Sequence, residues 1–223
     1  AGRAPAGFAN LLKLCEMLAI PVVESAPVYS NFPKNHPLHL GFSPRPYMND
    51  ADVVLVIASR APWYPPYQGP AKATVVNMAE APIKGHMVYQ NLMADHYVEG
   101  DVPVSLELLI EAVQSSGINA GKVAERRSRI EAEHNKMAEA IQSEQAAAKT
   151  KSPIDPVWLC AALNEVMPKN VIYSEETTSH RGAITRHVNW EYPHAYLHPT
   201  GGLGQGLGLA LGAKLARPDQ PVV

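Results

Sequence analysis

Apolar residues in this chain come in short bursts, and the spacing within each burst names an element. Phe8, Leu11, Leu12, Cys15, Leu18 and Ala19 recur at helical spacing until Pro21 ends the run. Pro21-Val22-Val23-Glu24-Ser25 reads as a short buried strand, and Ala26 to Met48 as a loop rich in proline and aromatic residues. The uninterrupted Val53-Val54-Leu55-Val56-Ile57 has the character of a parallel strand covered on both faces, and Thr74-Val75-Val76-Asn77-Met78 makes another. A helix from about Val104 to Val113 closes the unit at Gly117. Strands alternating with helices predict a Rossmann-like parallel sheet with right-handed crossovers.

The pattern then changes. Residues 118–152 are dense in charge, with Lys122, Glu125, Arg126, Arg127, Arg129, Glu131, Glu133, Lys136 and Glu139. Val123, Ile130, Met137 and Ile141 leave only a narrow apolar stripe, which predicts a solvated interdomain helix lying on a surface. Ala146 to Pro153 reads as the end of this linker. A second unit follows. Asp155 suits an N-cap with Pro156 at the first helical position. Trp158, Leu159, Ala162, Leu163 and Val166 form the expected apolar face, and Pro168 stops the helix. Val171-Ile172-Tyr173 is then a strand that delivers Ser174-Glu175-Glu176-Thr177-Thr178-Ser179 at its carboxyl end, where open α/β sheets bind ligands. The expected division is 1–117, a charged helical linker at 118–152, and 153–223.

Five glycines fall within eight residues between Gly201 and Gly208. Gly201, Gly202 and Gly204 suit a turn that lies against a ligand, and Gly204, Gly208 and Gly212 recur every four residues to make one smooth helical face. This is not a dinucleotide fingerprint. Starting from Gly202, Gly204 or Gly206, the sixth position is Leu207, Leu209 or Leu211.

Composition narrows the class. With 46% hydrophobic residues, 18% charged residues and a net charge of −2, the chain has no electrostatic footprint for nucleic acid or an anionic membrane. No apolar run reaches membrane-spanning length. Cys15 and Cys160 read as buried thiols of a reducing compartment, the cytoplasm. The start at Ala1-Gly2-Arg3 and the stop at Pro221-Val222-Val223, the opening of an apolar strand, predict a piece of a longer protein.

The hydroxyl turn and the glycine stretch, at this separation, resemble the C-terminal cofactor domain of thiamine-diphosphate enzymes of the benzoylformate decarboxylase and acetolactate synthase type. The resemblance extends to Ala210-Leu211-Gly212-Ala213-Lys214-Leu215-Ala216. It implies an α/β fold of two Rossmann-like parallel-sheet units. The first is a central DHS-like domain lacking its first strand; the second is a truncated thiamine-diphosphate-binding domain. It assigns the diphosphate to Thr177 and Thr178 and the aminopyrimidine to the backbone at Gly201. Gly202 is part of the same turn, and Leu203 is the wedge that keeps the cofactor bent. Glu175 and Glu176 cannot both face a phosphate, so at least one turns outward or caps a backbone group.

Asn31-Phe32-Pro33-Lys34-Asn35-His36-Pro37 resembles the family's Phe-Pro-x-x-His-Pro element, which makes His36 the candidate proton-transfer residue, the alternative being a histidine that only shapes its loop. His180, His187, His194 and His198 lie between the two cofactor motifs and could line a substrate entrance; their spacing matches no metal motif. The implied reaction is decarboxylation or carboligation of a 2-keto acid by a homodimer or homotetramer. The Mg²⁺ ligands are expected beyond Val223, and no FAD signature is legible. Acetolactate synthase proper is the alternative within the class, and a non-catalytic nucleotide-binding module the alternative outside it.

Overall fold

Helix α1 (Pro5–Leu18) begins on a proline, where the missing amide needs no partner, and ends at Ala19, whose left-handed φ of 51° lets its N–H reach back to the Cys15 carbonyl. Its buried face is Phe8, Leu11, Leu14 and Cys15. This face packs with Leu106 and Ile110 of α2 (Val102–Ser116), a helix capped by the Asp101 side chain and closed at Gly117, where φ is +80°. The observed α2 outruns the expected 104–113 at both ends. The computed structural model describes residues 1–59, 61–83 and 92–223.

Beside these helices stand β1 (Val53–Ile57), β2 (Thr74–Ala79) and β3 (His96–Glu99), in that order and all parallel. The first two match the apolar runs. The third, His96-Tyr97-Val98-Glu99, is exposed along its length and has no apolar run to announce it. The strand expected at 21–25 is instead a single parallel bridge from Val22 to His39. Val22 N–H donates to the Leu38 carbonyl and Leu40 N–H to that of Val22, both at 2.8 Å. Pro21 has no amide to extend the ladder backwards, and Ala26 (φ 47°) turns the chain away forwards. The buried His39 imidazole, 3.1 Å from Glu24 Oε2, ties this bridge together from the inside.

Residues 120–148 form one helix, α3 (Ala120–Ala148), which continues through the alanines expected to be linker. Ile130 and Ala148 are buried, and the rest of its stripe is half-covered, as suits a helix on a surface. Near one end, Arg126 and Arg127 donate to the Leu18 and Glu16 carbonyls at 2.9 and 2.7 Å. These cations sit on the negative end of α1. Near the other, Glu144 takes a two-pronged bond from Arg186, both contacts 2.7 Å.

After α3, α4 (Pro156–Val166) starts as expected, with Asp155 accepting from Val157 N–H at 2.9 Å. Its face differs from the expected one. Cys160 and Ala161 are buried, whereas Leu159 and Val166 are 54% and 67% exposed. The helix is wedged between α3 and α5 (Arg181–His187), so its small residues are the ones that fit inside. Strand β4 (Tyr173–Ser174) pairs in parallel with β5 (Tyr196–Leu197), and Ile172 bridges in parallel to Val222 on the other side. Tyr29 adds an antiparallel bridge to Leu197.

The proline-rich loop therefore lies against β5 and α5, and one lysine fixes it there. Lys34 is buried and its ammonium donates to the Thr185 carbonyl at 2.6 Å and to that of Val188, at the carboxyl end of α5. The same group stands 4.4 Å from the ring centre of Trp190. Burial lowers this amine to about 7.

Candidate functional site

The carboxyl ends of β4 and β5 lie side by side, and each opens into one of the two motifs. From β4 the chain enters Glu175-Glu176-Thr177-Thr178; from β5 it enters His198-Pro199-Thr200-Gly201-Gly202-Leu203. α6 (Gln205–Ala216) begins directly after, on Gly204 at φ +87°, a conformation that costs a residue with a Cβ.

Two carboxylates join these turns. Glu176 accepts from the backbone N–H of Gln205 at 2.9 Å and of Gly206 at 2.6 Å, so it caps α6 from the neighbouring turn. The Gly206 and Gln205 amides hold its carboxyl below the usual carboxylate range. Ser174 Oγ donates to the Gly206 carbonyl at 2.9 Å, which seats the first turn of α6 on β4. Gly206 is the glycine this contact requires, because a Cβ there would come within 2.8 Å of Glu176. The expected smooth face is elsewhere and open: a Cβ on Gly208 or Gly212 would meet nothing.

Glu175 is buried at the centre. Its Oε1 accepts from the Thr177 amide at 2.6 Å and the Thr177 hydroxyl at 2.5 Å. Its Oε2 accepts from the Tyr196 hydroxyl at 2.8 Å and lies 2.9 Å from His198 Nδ1, with Arg181 Nε at 3.7 Å. Burial acts to raise its carboxyl, and the hydrogen bonds from Thr177 and Tyr196 and the nearby His198 outweigh it, holding the group below the usual range.

The structure thus brings Thr177, Thr178, Gly201, Gly202 and Leu203 to one edge of the sheet, all solvent-exposed. Thr177 differs from expectation in that both of its donors are held by Glu175. The Thr178 side chain makes no hydrogen bond among the described residues, and Leu203 is 83% exposed. His36 is not brought to this edge by any described contact. Its Nδ1 accepts from Leu38 N–H at 3.1 Å and its Nε2 lies 3.3 Å from Glu16 on α1, so both ring nitrogens serve the loop. Sequence reasoning anticipated a capping glutamate in the pair, but not the hub at Glu175, nor His198 as its partner. The signal for Glu175 was its place just after the strand at 171–173; His198 follows the two-residue β5, which no apolar run announces. Among the described residues no group of three or more acidic, histidine or cysteine side chains could hold a metal, and no helix is long and apolar enough to cross a membrane.

No family profile matches the chain. Benzoylformate decarboxylase of Pseudomonas aeruginosa is 30% identical over 125 residues, 56% of this chain and 20% of that protein. Human 2-hydroxyacyl-CoA lyase 2 is 27% identical over 226 residues, 98% of this chain and 34% of the lyase. A thiamine diphosphate-dependent 4-hydroxybenzoylformate decarboxylase from Rhodococcus jostii RHA1 shares the fold with a TM-score of 0.63 at 22% identity, over 99% of this chain and 40% of that one. The chain spans no more than two fifths of the length of any of these three. The paired strand ends and the two motifs that follow them thus stand in a chain similar in sequence to a benzoylformate decarboxylase and to 2-hydroxyacyl-CoA lyases, and similar in fold to a thiamine diphosphate-dependent decarboxylase.

Proposed function

We propose that the chain carries part of the cofactor site of a thiamine-diphosphate-dependent enzyme that decarboxylates or ligates a 2-keto acid. The observation that carries this reading is Glu176, which binds the hydroxyl turn to the start of α6 and so holds the two motifs at one sheet edge. The residues fit the cofactor well on the ring side. Gly201 and Gly202 leave the backbone bare, Gly202 has open space where a Cβ would stand, and Leu203 stands free to pack against a ring. On the diphosphate side the fit rests on Thr178. Thr177 joins it on leaving Glu175, and the Gln205 and Gly206 amides are taken by Glu176.

When bound, the cofactor supplies the electron sink for breaking the bond next to the keto group. Thr177 and Thr178 would hold its charged end and Leu203 its bent shape. We place the Mg²⁺ ligands outside these 223 residues, and His36 stays a candidate in a loop role. The exposed Leu207, Leu211 and Leu215 of α6 support a homodimer or homotetramer, and the buried free thiols Cys15 and Cys160 support a cytoplasmic setting.

The test is titration of the full-length protein with thiamine diphosphate and Mg²⁺, followed through tryptophan fluorescence, and then an assay of CO₂ release from benzoylformate. Absence of saturable cofactor binding would sink the reading. A second activity is supported by the lyases that align over 98% of the chain, namely cleavage of a 2-hydroxyacyl thioester. Thioester cleavage without CO₂ release from the keto acid selects it.

A further inference from the structure

We infer that His198 is the proton-transfer group of this site and that Glu175 is the residue that positions it. The inference rests on the thiamine-diphosphate reading above and names a group which that reading leaves unassigned. His198 follows β5 and Glu175 follows β4, so the pair spans the ends of two adjacent parallel strands, between the hydroxyl turn and the glycine turn. His198 Nδ1 lies 2.9 Å from both the carbonyl oxygen and Oε2 of Glu175. Both are acceptors, so Nδ1 carries the proton and the neutral ring presents Nε2 as a lone pair. Nε2 has no protein partner among the described residues, and the side chain keeps 17% of its surface open.

The other charged or titratable groups around the pair are Arg181, 3.7 Å from Glu175 Oε2, the Tyr196 hydroxyl on the same oxygen, and Glu176, the next residue along the turn. His36 offers no comparable group, since both of its nitrogens are occupied. The backbone of His198 is fixed as well, its N–H donating to the Val28 carbonyl at 2.9 Å. The ring is therefore held on one side and open on the other, as a proton-transfer group requires.

The chemistry balances. A 2-keto acid carboxylate plus one proton gives an aldehyde and CO₂. The carbon–carbon bond to the carboxylate breaks, and its electron pair ends in the new carbon–hydrogen bond. His198, protonated at Nε2, would supply that proton and take its replacement from solvent, while Glu175 balances the charge of the imidazolium.

Two substitutions separate this role from a structural one. His198→Asn keeps a donor where Nδ1 stands and can hold Glu175, but lacks Nε2; His198→Gln offers the reverse. In the full-length protein, His198→Asn should bind thiamine diphosphate within about threefold of wild type. It should lose at least about 100-fold in kcat, together with one limb of the kcat–pH profile. Without cofactor, the ¹⁵N spectrum of the wild-type imidazole, assigned by its absence in His198→Gln, should show Nδ1 protonated and Nε2 bare, and the Nε2 signal should move when cofactor is added. Turnover by His198→Asn within threefold of wild type, or a neutral ring protonated at Nε2, overturns the inference and leaves the cofactor reading standing. Wild-type protein that binds no cofactor overturns both. If His198→Asn does not fold, the spectrum alone decides.

Discussion

Leu203 has 83% of its surface free on a turn whose neighbours Gly201 and Gly202 carry no side chains. An exposed leucine contributes little to folding, so Leu203→Ala should leave the melting temperature of the chain unchanged. On the proposed cofactor reading, in the full-length protein it should weaken thiamine diphosphate binding and slow proton exchange at the thiazolium carbon, a lost apolar contact being worth roughly 1–3 kcal/mol. Leu203→Met should be mild in both measurements, because it conserves volume. Equal affinity and exchange in wild type and Leu203→Ala would return the residue to simple packing against another part of the assembly. Glu176 gives a pH test. Its carboxyl is held low by the Gly206 and Gln205 amides. Its capping contribution is therefore present above the ordinary carboxylate range and lost as pH falls through the lowered folded value. Hydrogen exchange at the Gln205 and Gly206 amides should accelerate on acidification beyond its intrinsic pH trend in wild type. In Glu176→Gln it should be fast throughout. A protection pattern identical in the two proteins would mean that the cap does not hold α6.

At the scale of elements, the glycines of α6 separate by position. Gly206→Ala drives a Cβ to within 2.8 Å of Glu176 and should destabilise the second unit by about 1–3 kcal/mol. Gly208→Ala and Gly212→Ala face open space and should stabilise the helix by roughly 0.5–1 kcal/mol each, read by urea midpoint on this chain. The repeat of glycines every four residues was visible in the sequence, but which glycine faces β4 was not, since that depends on where Glu176 reaches. The same limit applies to α4. Its cap at Asp155 is a local signal and was legible, whereas its inner face was not. Leu159 and Val166 stay outside because α3 and α5 admit only Cys160 and Ala161. Strands β1 and β2 announced themselves as apolar runs; β3, polar and exposed, had no such signal. Thr177 and Thr178 could be placed beside Gly201 and Leu203 only through the resemblance carried by the two motifs, since the strand before the first was legible and the two-residue β5 before the second was not. The hydrogen bonds that occupy Thr177 arise from the burial of Glu175, which no spacing encodes.

For the whole molecule, the charged stretch at 118–152 reads in the sequence as a solvated linker helix, and in the structure Ala120–Ala148 is one helix. Since 120–148 is one helix anchored near both ends, trypsin should spare Lys122 to Lys136 and cut early at the exposed Lys149 and Lys151. The fragments on a gel check this, and early cleavage at Lys122 or Lys136 would show that α3 frays. Because its anchors are α1 at one end and α5 at the other, α3 also behaves as a shaft whose two ends must stay in phase. Its 29 residues span about 43 Å at 1.5 Å per residue. Arg126 and Arg127 engage α1 at one end and Glu144 engages Arg186 at the other. One alanine inserted between Ala138 and Glu139 would turn the ends by about 100° relative to each other, so only one anchor could engage. A seven-residue insertion would restore the angle to within about 20° yet push the ends some 10 Å further apart. Both insertions should lower the melting temperature by more than any single exposed substitution on the same helix, such as Lys122→Ala. Along this helix, then, length should be inherited more strictly than side-chain identity.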